Sequence, residues 1–545
     1  MFVRVKKTGP YQYLQIVQNN REGNKVKQRI IGTLGRVDHL KNTSEIEGLI
    51  HKLSRFTNQA TLVLNGFSQV NAQTISIGPA LIFERIWKDL GLDKIISELA
   101  KTTRHEFNIE RAVFLTVLHR LISSGSDRSC EKWKEDFSVV GSKDLALQHL
   151  YRAMHFIGKE LEDQQDCTPF SPRCIKDLIE EKLFDRRKDL FSGLDMVFFD
   201  TTSIYFEGSG GDTLGYLGHS KDHRPDLNQM IVGAVLNGKG EPICCELWPG
   251  YTADVTTLLP IADRMRKRFG VTRFCVVADR GMISKDTIEG LEKRDISYIL
   301  GLRMRLQKPL AKSILSRGGR YSEVQPEGST SKDPSPLKVK EVVIDGTRYI
   351  NCLNQKQARK DVADRQAILE SLEIKVQGSP KALVGNKGYK KYLTIQKDSF
   401  SINQEKIHDE ARYDGKWILQ TNTDLSAPEV ALKYKELWRV ERVFRDVKSI
   451  LETRPIYHQL DENIRGHVFC SFLALVLRKE LDNRLQKAGM NFEWDDIKRD
   501  LTALKEVTIF EDKVSFTIRT QSRGVCGKVF QATGVAMPPT VRQNN

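Results

Sequence analysis

Two apolar segments of this chain each end in an aspartate, and this repeated pattern constrains the fold more than any other feature. Residues 196–199 (MVFF) lead into Asp200, and residues 275–278 (CVVA) lead into Asp279. Continuous apolar runs of this length are typical of strands buried in a sheet. A carboxylate beside such a strand is costly unless it is paired or binds a cation. Either aspartate alone could equally be a residue that starts a turn. Two aspartates that each follow a buried strand favour a shared site.

Strand-like and helical segments alternate around these aspartates in an order that is typical of an α/β domain. Three strand-like segments bounded by Gly, Pro or Asn-Gly come first and predict a meander: MVFFDTTSIYF, QMIVGAVL and PICCELW. A helical stretch at 254–269, the strand RFCVVADRG, a helix at 285–294 and the strand SYILGLR follow. This β-α-β-α-β order predicts a sheet with parallel members joined by right-handed crossovers.

A third acid is located by helical geometry. The helical signal returns strongly at Ser426, which forms a capping-box pattern with Glu429. In YKELWRVERVFRDVK, residues at steps of three, four and seven share one helical face, namely Tyr434, Trp438, Glu441, Arg445 and Lys448. Glu441 is the acid on that face. The alternative is a solvated helix in which Glu441 and Arg445 form an ordinary ion pair.

Three carboxylates suit a hard divalent cation. Asp200, Asp279 and Glu441 offer oxygen ligands, which favour Mg²⁺ or Mn²⁺ over zinc. Two such ions activate water on one side of a phosphodiester and stabilise the leaving oxygen on the other, which is nuclease chemistry. The acids would then hold metal. The phosphate oxygens would be bound by nearby basic residues, namely Lys448, Arg445 or Arg439.

The charge balance fits a polyanionic partner. The net charge is +15, and residues 1–38 carry eight basic against two acidic residues. A chain with basic ends suits double-stranded DNA, although a merely basic enzyme surface explains the total charge as well. Nine scattered cysteines predict free thiols in a reducing cytoplasm. The chain carries no apolar signal region and no run long enough to span a bilayer, which predicts a soluble protein without membrane contact, associated with the nucleoid.

Tyr434, Glu441 and Lys448 stand at the spacings of a Tyr-x2-Arg-x3-Glu-x6-Lys motif. Here the chain resembles the bacterial insertion-sequence DDE transposases of the IS-four type. FFDTTSIYFE and VVADRGM are similar to the first and second aspartate segments of that family, and GHSKDHRPDL, PGYTAD and RPIYHQ extend the resemblance over roughly residues 190–480. Leu437 stands where the family has its arginine. Arg439 is close by but off register, and whether it replaces that arginine stays open.

The resemblance implies an RNase H-like catalytic domain with a mixed five-stranded sheet, interrupted by a β-rich insertion. It implies an enzyme that cuts at terminal inverted repeats, exposes a 3′-OH and joins it to target DNA, within a homodimeric synaptic complex. Asp200, Asp279 and Glu441 would be its catalytic residues and would hold two Mg²⁺ or Mn²⁺ ions. Whether the intermediate is a hairpin or a nick is left undecided.

The predicted organisation has six segments. They are a basic β-hairpin arm and linker (1–75), a helical, DNA-binding domain (76–190), the first part of the RNase H-like domain (191–304), the β-rich insertion (305–422), its second part (423–487) and a basic C-terminal tail (488–545).

Several further residues admit two interpretations. A cationic loop is a candidate DNA contact or a plain turn of Gly, Asp and Pro; it contains His219, Lys221, His223 and Arg224. Tyr434 joins the candidate DNA contacts through the motif. Asp254 is expected to be a helix cap and not a metal ligand. Trp438 is expected to be a packing aromatic, the alternative being a base-stacking residue.

Two other functions remain open from the sequence. One is a domesticated or inactive relative that binds DNA without cutting it. The other is a hydrolase that uses Asp200 and Glu441 as an acid/base pair.

Overall fold

The computed structural model of the 545-residue chain describes most of the sequence. The described residues are 2–22, 25–42, 46, 71–164, 167, 171–187, 195–324, 337–378, 391–396, 399–449, 454–511 and 514–544. They form two compact units, residues 1–71 and 72–545. The predicted linker after residue 42 lies almost entirely outside the described residues.

The strands are β1 (Phe2–Thr8), β2 (Tyr11–Glu22), β3 (Lys25–Arg36), β4 (Asn71–Ser76), β5 (Asp195–Tyr205), β6 (Gln229–Asn237), β7 (Pro242–Pro249), β8 (Phe274–Ala278), β9 (Ser297–Gly301), β10 (Ser322–Val324), β11 (Leu337–Ile344), β12 (Thr347–Asn354), β13 (Leu393–Gln396), β14 (Ser399–Ile402), β15 (Lys416–Thr421), β16 (Lys505–Glu511), β17 (Val514–Arg519) and β18 (Val541–Asn544).

The α-helices are α1 (Val37–Asn42), α2 (Gly78–Asp89), α3 (Leu92–Ala100), α4 (Ile109–Ile122), α5 (Asp127–Trp133), α6 (Leu147–Gly158), α7 (Ile175–Asp185), α8 (Leu258–Phe269), α9 (Lys285–Lys293), α10 (Lys308–Ser316), α11 (Gln355–Gly378), α12 (Gln404–Ala411), α13 (Ala427–Lys435), α14 (Trp438–Ser449), α15 (Asp461–Lys487), α16 (Trp494–Thr502) and α17 (Cys526–Thr533). Among the described residues, none of these helices combines the length and the apolar character needed to cross a membrane.

The first unit is a three-stranded antiparallel sheet in the order β1-β2-β3. The sequence predicts a hairpin here, and the structure adds a strand, because a turn at Gly9 and Pro10 separates β1 from β2. Val17 is fully buried, whereas Val3, Val26 and Ile31 stay about half exposed. The alternating pattern therefore builds a small basic sheet with little core of its own.

The centre of the second unit is a nine-stranded sheet in the order β10-β11-β12-β15-β9-β8-β5-β6-β7. The five predicted strands form one half of it. β5, β6 and β7 pair antiparallel as the meander, and β5, β8 and β9 run parallel. β15 then pairs antiparallel with β9, so four strands of the insertion extend the sheet that the sequence predicts to stop at five.

In its described residues the insertion is not largely β. The longest element among them is α11, a helix of 24 residues. The segment QKQARKDVADRQAILESLEIKVQG is so polar that its helical periodicity is weak, which explains the incorrect prediction. Leu372 is fully buried and packs with Tyr392 and Leu393 in a small core of the insertion.

A helical layer is built around α15, whose middle is buried over several turns. α15 packs on α4 and α6, and the crossing with α6 is close because glycines lie at the contact. A Cβ atom at Gly466 would collide with the Met154 carbonyl oxygen, and one at Gly158 would collide with the Glu462 carbonyl oxygen. α15 thus belongs to the core of the helical layer as well as forming the last part of the predicted second half of the catalytic domain.

Residues 488–545 are folded and do not form the predicted basic tail. α16 packs against α2, where the rings of Trp494 and Phe83 lie 6.3 Å apart edge to face. β16, β17 and β18 join β4 in a four-stranded sheet. The alternating segments KEVTIFE and VSFTIR carry this strand signal, which the count of basic residues in the region obscures.

Candidate active site

Asp200 and Asp279 lie on neighbouring parallel strands. In the register of β5 and β8, Phe199 pairs with Ala278, so the two aspartates follow directly at the same level of the sheet. β8 ends at Ala278, as predicted. β5, however, continues to Tyr205 along β6, so Asp200 lies within a strand and not at its end. The sequence prediction placed both acids correctly beside buried strands and misjudged the length of the first.

One cavity of about 400 Å³ is lined by all three predicted acids. Asp200 and Asp279 reach it from the sheet, and Glu441 reaches it from α14. The other residues that line it are Thr201, Thr202, Lys221, Asp254, Gly281, Met282, Phe444 and Lys448.

The electrostatics of Asp200 reflect the acids around it. The pKa of Asp200 is raised to about 6, chiefly by burial; the negative charges of Asp279 and Asp254 add to the rise, whereas the ammonium of Lys221 and the hydrogen bond from the Thr201 backbone oppose it. The backbone N–H of Thr201 donates to Asp200 Oδ1 over 2.7 Å. The cavity is therefore short of positive charge, which is the condition in which a cation is bound favourably.

Tyr434 contacts the second acid from a different helix than Glu441. The predicted capping box of Ser426 and Glu429 is confirmed at the start of α13, but α13 ends at Lys435 and α14 begins at Trp438. The single helical face drawn through Tyr434 and Glu441 is therefore wrong. Both residues nevertheless line a second, larger cavity of about 1100 Å³ together with Asp279.

Glu441 borders the buried side of α14. Leu437, Val440 and Phe444 are buried and pack against the central sheet. At about 100° per residue, Glu441 and Lys448 fall together on one edge of that buried stripe. Leu437, which stands where the motif has arginine, is a core residue here.

Lys448 is tied to the loop that carries the predicted cationic cluster. Its Nζ lies 2.7 Å from Asp222 Oδ1, and Arg454 Nη1 lies 2.6 Å from the same oxygen. Burial lowers the pKa of Lys448. Asp222 thus fixes a lysine at the edge of the acidic cavity.

Asp254 is the site residue that the sequence prediction missed. It starts a short 3-10 helix (Asp254–Thr256), but its side chain is not the cap; the cap position is Ala253. Asp254 Oδ1 accepts from Thr201 Oγ1 over 2.6 Å, and Oδ2 lies 3.0 Å from Lys221 Nζ. The sequence signal for this residue was the PGYTAD segment. This segment resembles the family, but the resemblance alone assigned no role to the aspartate.

Lys221 is held where it faces the acids. Its ammonium donates to the carbonyl oxygen and the hydroxyl of Thr201 over 2.8 and 2.9 Å, besides pairing with Asp254. Three chain segments, namely β5, the loop after it and the 3-10 helix, are therefore joined by one small polar network next to Asp200.

The other predicted DNA contacts lie outside the 400 Å³ cavity. His219 and Arg445 are exposed, and Arg224 pairs on the surface with Asp226 at 2.9 Å. Arg439 is on the opposite side of α14 from Glu441, and its Nη1 donates to the Gly238 carbonyl oxygen over 2.5 Å. Trp438 is 52% exposed, so the expected packing role is only partly met.

In the described part of the chain, a group of three candidate ligand atoms within 4.8 Å of one another lies elsewhere, in the helical layer: Asp127, His458 and His467. Arg120 Nη2 lies 2.9 Å from His467 Nδ1 and 3.5 Å from Asp127 Oδ1. Because a guanidinium already occupies this group, it is an ion-pair cluster that ties α4 and α5 to α15. The oxygen donors that suit a hard divalent ion are those of the acidic cavity.

A large mixed sheet with helices, and an acidic cavity where β8 ends beside β5, are consistent with the fold of the RNase H-like nucleases. Residues 192–477, slightly more than half of the chain, match the family model of the transposase DDE domain. Residues 3–65 match the model of the IS1634 family transposase N-terminal domain. The chain therefore belongs to the bacterial insertion-sequence DDE transposases. A comparison with curated proteins finds no match.

Proposed function

We propose that this transposase cuts phosphodiester bonds at the terminal inverted repeats of its element, exposes a 3′-OH and transfers it into target DNA. The observation that carries the proposal is the single cavity lined by Asp200, Asp279 and Glu441, beside two lysines. A pair of chains would hold the two element ends together, since one cavity of this kind serves one end at a time.

The three acids are proposed to bind two divalent ions, either Mg²⁺ or Mn²⁺. The family depends on divalent metal in general. The carboxylates fit such ions because they are oxygen donors that line one cavity, where burial and the neighbouring acids raise the pKa of Asp200. When bound, the metal supplies the activation of water and the stabilisation of the leaving oxygen.

The chain's own residues orient these ligands and bind the substrate. Tyr434 donates to Asp279 Oδ1 and so restricts the rotation of that carboxylate. Asp254 holds Lys221 beside Asp200, and Asp222 holds Lys448 beside Glu441. Both ammonium groups are proposed to bind phosphate oxygens next to the scissile bond.

The larger cavity is proposed as the path of the DNA towards the insertion. It begins at Asp279, Tyr434 and Glu441 and continues past basic residues that follow β8 and β9 or belong to the insertion. These are Arg280, Arg303, Arg305, Arg365, Lys391 and Lys416. Six acids line the same cavity, so the proposal rests on individual cations as phosphate partners and not on a net positive charge.

The test is a cleavage and joining assay with the full-length chain. The substrate is a duplex that carries the element's terminal inverted repeat and flanking sequence, and the target is a supercoiled plasmid. Mg²⁺ is expected to yield a 3′-OH at the element end and joined products, and chelation is expected to abolish both. Tight binding to the ends without cleavage in Mg²⁺ or Mn²⁺ would support the inactive relative instead.

A further inference from the structure

A third cavity, of about 290 Å³, lies on the other side of α14, away from the three acids. It is enclosed by α14, α15 and the tight turn between β6 and β7. Five cationic side chains line it: Lys239, Arg439, Arg442, Arg478 and Lys479. We call it the basic cavity.

Two acids also line the basic cavity, so its excess is three positive charges. Asp446 lies 3.1 Å from Arg478 Nη1. Burial raises the pKa of Asp446 and of Asp482, and cations around each of them oppose this rise. Asp446 thus holds Arg478 in place, but the two acids do not balance the charge of the five cations.

The cations also repel one another. Burial lowers the pKa of Lys479, and the nearby charges of Arg439 and Arg442 lower it further, against the effect of Asp482 and Glu241. An anion in the basic cavity would relieve this repulsion. A phosphate group, with its several acceptor oxygens, suits guanidinium and ammonium donors that converge from three chain segments.

The helical geometry connects the basic cavity to the active site. The buried stripe of α14 separates Glu441 from Arg439, which fall on its two edges. Trp438 and Arg442, both exposed, lie on the outer face between these edges. A strand that leaves the acidic cavity across α14 therefore passes Trp438 and arrives at the basic cavity.

We infer that the basic cavity binds a backbone phosphate of the same DNA whose scissile bond lies at the acids. The inference rests on the proposed cleavage function and adds a contact site to it. A helix with its side chains is about 10–12 Å wide, and a DNA strand advances about 3.4 Å per nucleotide. The phosphate bound here is thus about three nucleotides from the scissile one.

The test measures DNA binding by the full-length chain in chelator, so that no cleavage occurs, over a range of salt concentrations. The probe is the terminal-repeat duplex with flanking sequence. Each phosphate contact contributes about 0.9 to the slope of log K against log salt. Arg442→Gln is expected to lower the slope by about one, and Arg442→Gln with Lys479→Gln by about two. Lys285→Gln with Lys293→Gln, a matched loss of two exposed lysines on α9, is expected to leave the slope unchanged.

A second measurement locates the contact along the DNA. A neutral methylphosphonate about three nucleotides from the cut is expected to weaken binding by the wild type and to have little effect on the double variant. Arg442 is exposed, so Arg442→Gln is expected to keep the wild-type unfolding temperature.

Unchanged slopes in both variants, with a wild type that cuts the duplex in Mg²⁺, would overturn the inference alone. The slope could instead stay constant while the variants lose self-association or the binding of an acidic protein. That result would overturn the inference and show that the basic cavity binds protein and not DNA. A wild type that binds with the expected slopes but never cuts would leave this contact standing and refute the proposed function.

Discussion

The hydroxyl of Tyr434 donates a hydrogen bond of 3.0 Å to Oδ1 of Asp279. The bond joins α13 to the residue that follows β8. The break between α13 and α14 places Tyr434 on a different helix from Glu441. Burial raises the pKa of Tyr434, and the charge of Asp279 raises it further, so the hydroxyl stays protonated and remains a donor. One oxygen of the second acid is thereby fixed before any substrate arrives.

Tyr434→Phe removes this bond and little else. A hydrogen bond to a charged group contributes about 1.5–3 kcal/mol, so the rate of DNA cleavage is expected to fall roughly 10- to 100-fold. The measurement is a single-turnover cleavage rate over a Mg²⁺ titration, with the thermal unfolding temperature recorded alongside. A variant that cleaves at the wild-type rate at every Mg²⁺ concentration would show that the bond does not orient Asp279.

Gly301 makes room for Tyr434. A Cβ atom at Gly301, the last residue of β9, would collide with the Tyr434 hydroxyl. Gly301→Ala is expected to cost about 1–3 kcal/mol of stability, because the tyrosine must shift. In the background of Tyr434→Phe the closest atom is gone, so the same substitution is expected to cost clearly less. Equal costs in the two backgrounds, measured by urea unfolding, would contradict the contact.

The raised pKa of Asp200 gives the metal-free protein a defined pH dependence. The folded state holds this proton up to a pKa of about 6, whereas the unfolded state releases it near 3.8. Between these values the folded state binds more protons, so the contribution of Asp200 to stability falls as pH rises through the window and stays low above it.

Asp200→Asn removes this loss of folding stability at higher pH. In chelator, the variant is expected to gain up to about 3 kcal/mol of stability over the wild type above pH 6, with the gain vanishing near pH 4. Urea unfolding of both proteins across this range measures it, and Asp286→Asn, an exposed acid of α9, serves as control. A stability difference that does not change with pH would refute the assignment of the shift.

Asp254 is predicted to position Lys221 for the reaction. Asp254→Asn keeps an oxygen that accepts from Thr201 but loses the ion pair with Lys221, whereas Asp254→Ala loses both. The cleavage rate is expected to fall about tenfold in the first variant, because one charge-assisted contact is lost. It is expected to fall further in the second variant, because a second contact is lost. The salt dependence of cleavage distinguishes this role from a structural one, because a misplaced Lys221 alters it. Wild-type cleavage by Asp254→Ala would exclude the role.

The sequence predicts those parts of the fold and site that depend on local pattern. Continuous apolar runs identified β5 and β8, and the capping box at Ser426 identified the start of α13, because both signals lie within a few residues. The face through Tyr434 and Glu441 was drawn on one continuous helix. The break between Lys435 and Trp438 carries neither Gly nor Pro, so no local signal announced it.

The remaining errors come from long-range contacts. Whether β15 pairs with β9 or forms a separate subdomain depends on residues more than a hundred positions apart, which no window of sequence reports. Asp254 has the sequence context of a helix cap. Its contacts with Thr201 and Lys221 exist only once three separate segments have packed together.

The most direct test of the central claim is DNA cleavage by three isosteric variants, Asp200→Asn, Asp279→Asn and Glu441→Gln, in Mg²⁺ on the terminal-repeat duplex. Each is expected to lose cleavage by at least about a thousandfold while still binding the duplex and remaining folded, and Asp286→Asn is expected to cut as the wild type does. Cleavage at the wild-type rate by any one of the three would remove that acid from the site and contradict the account.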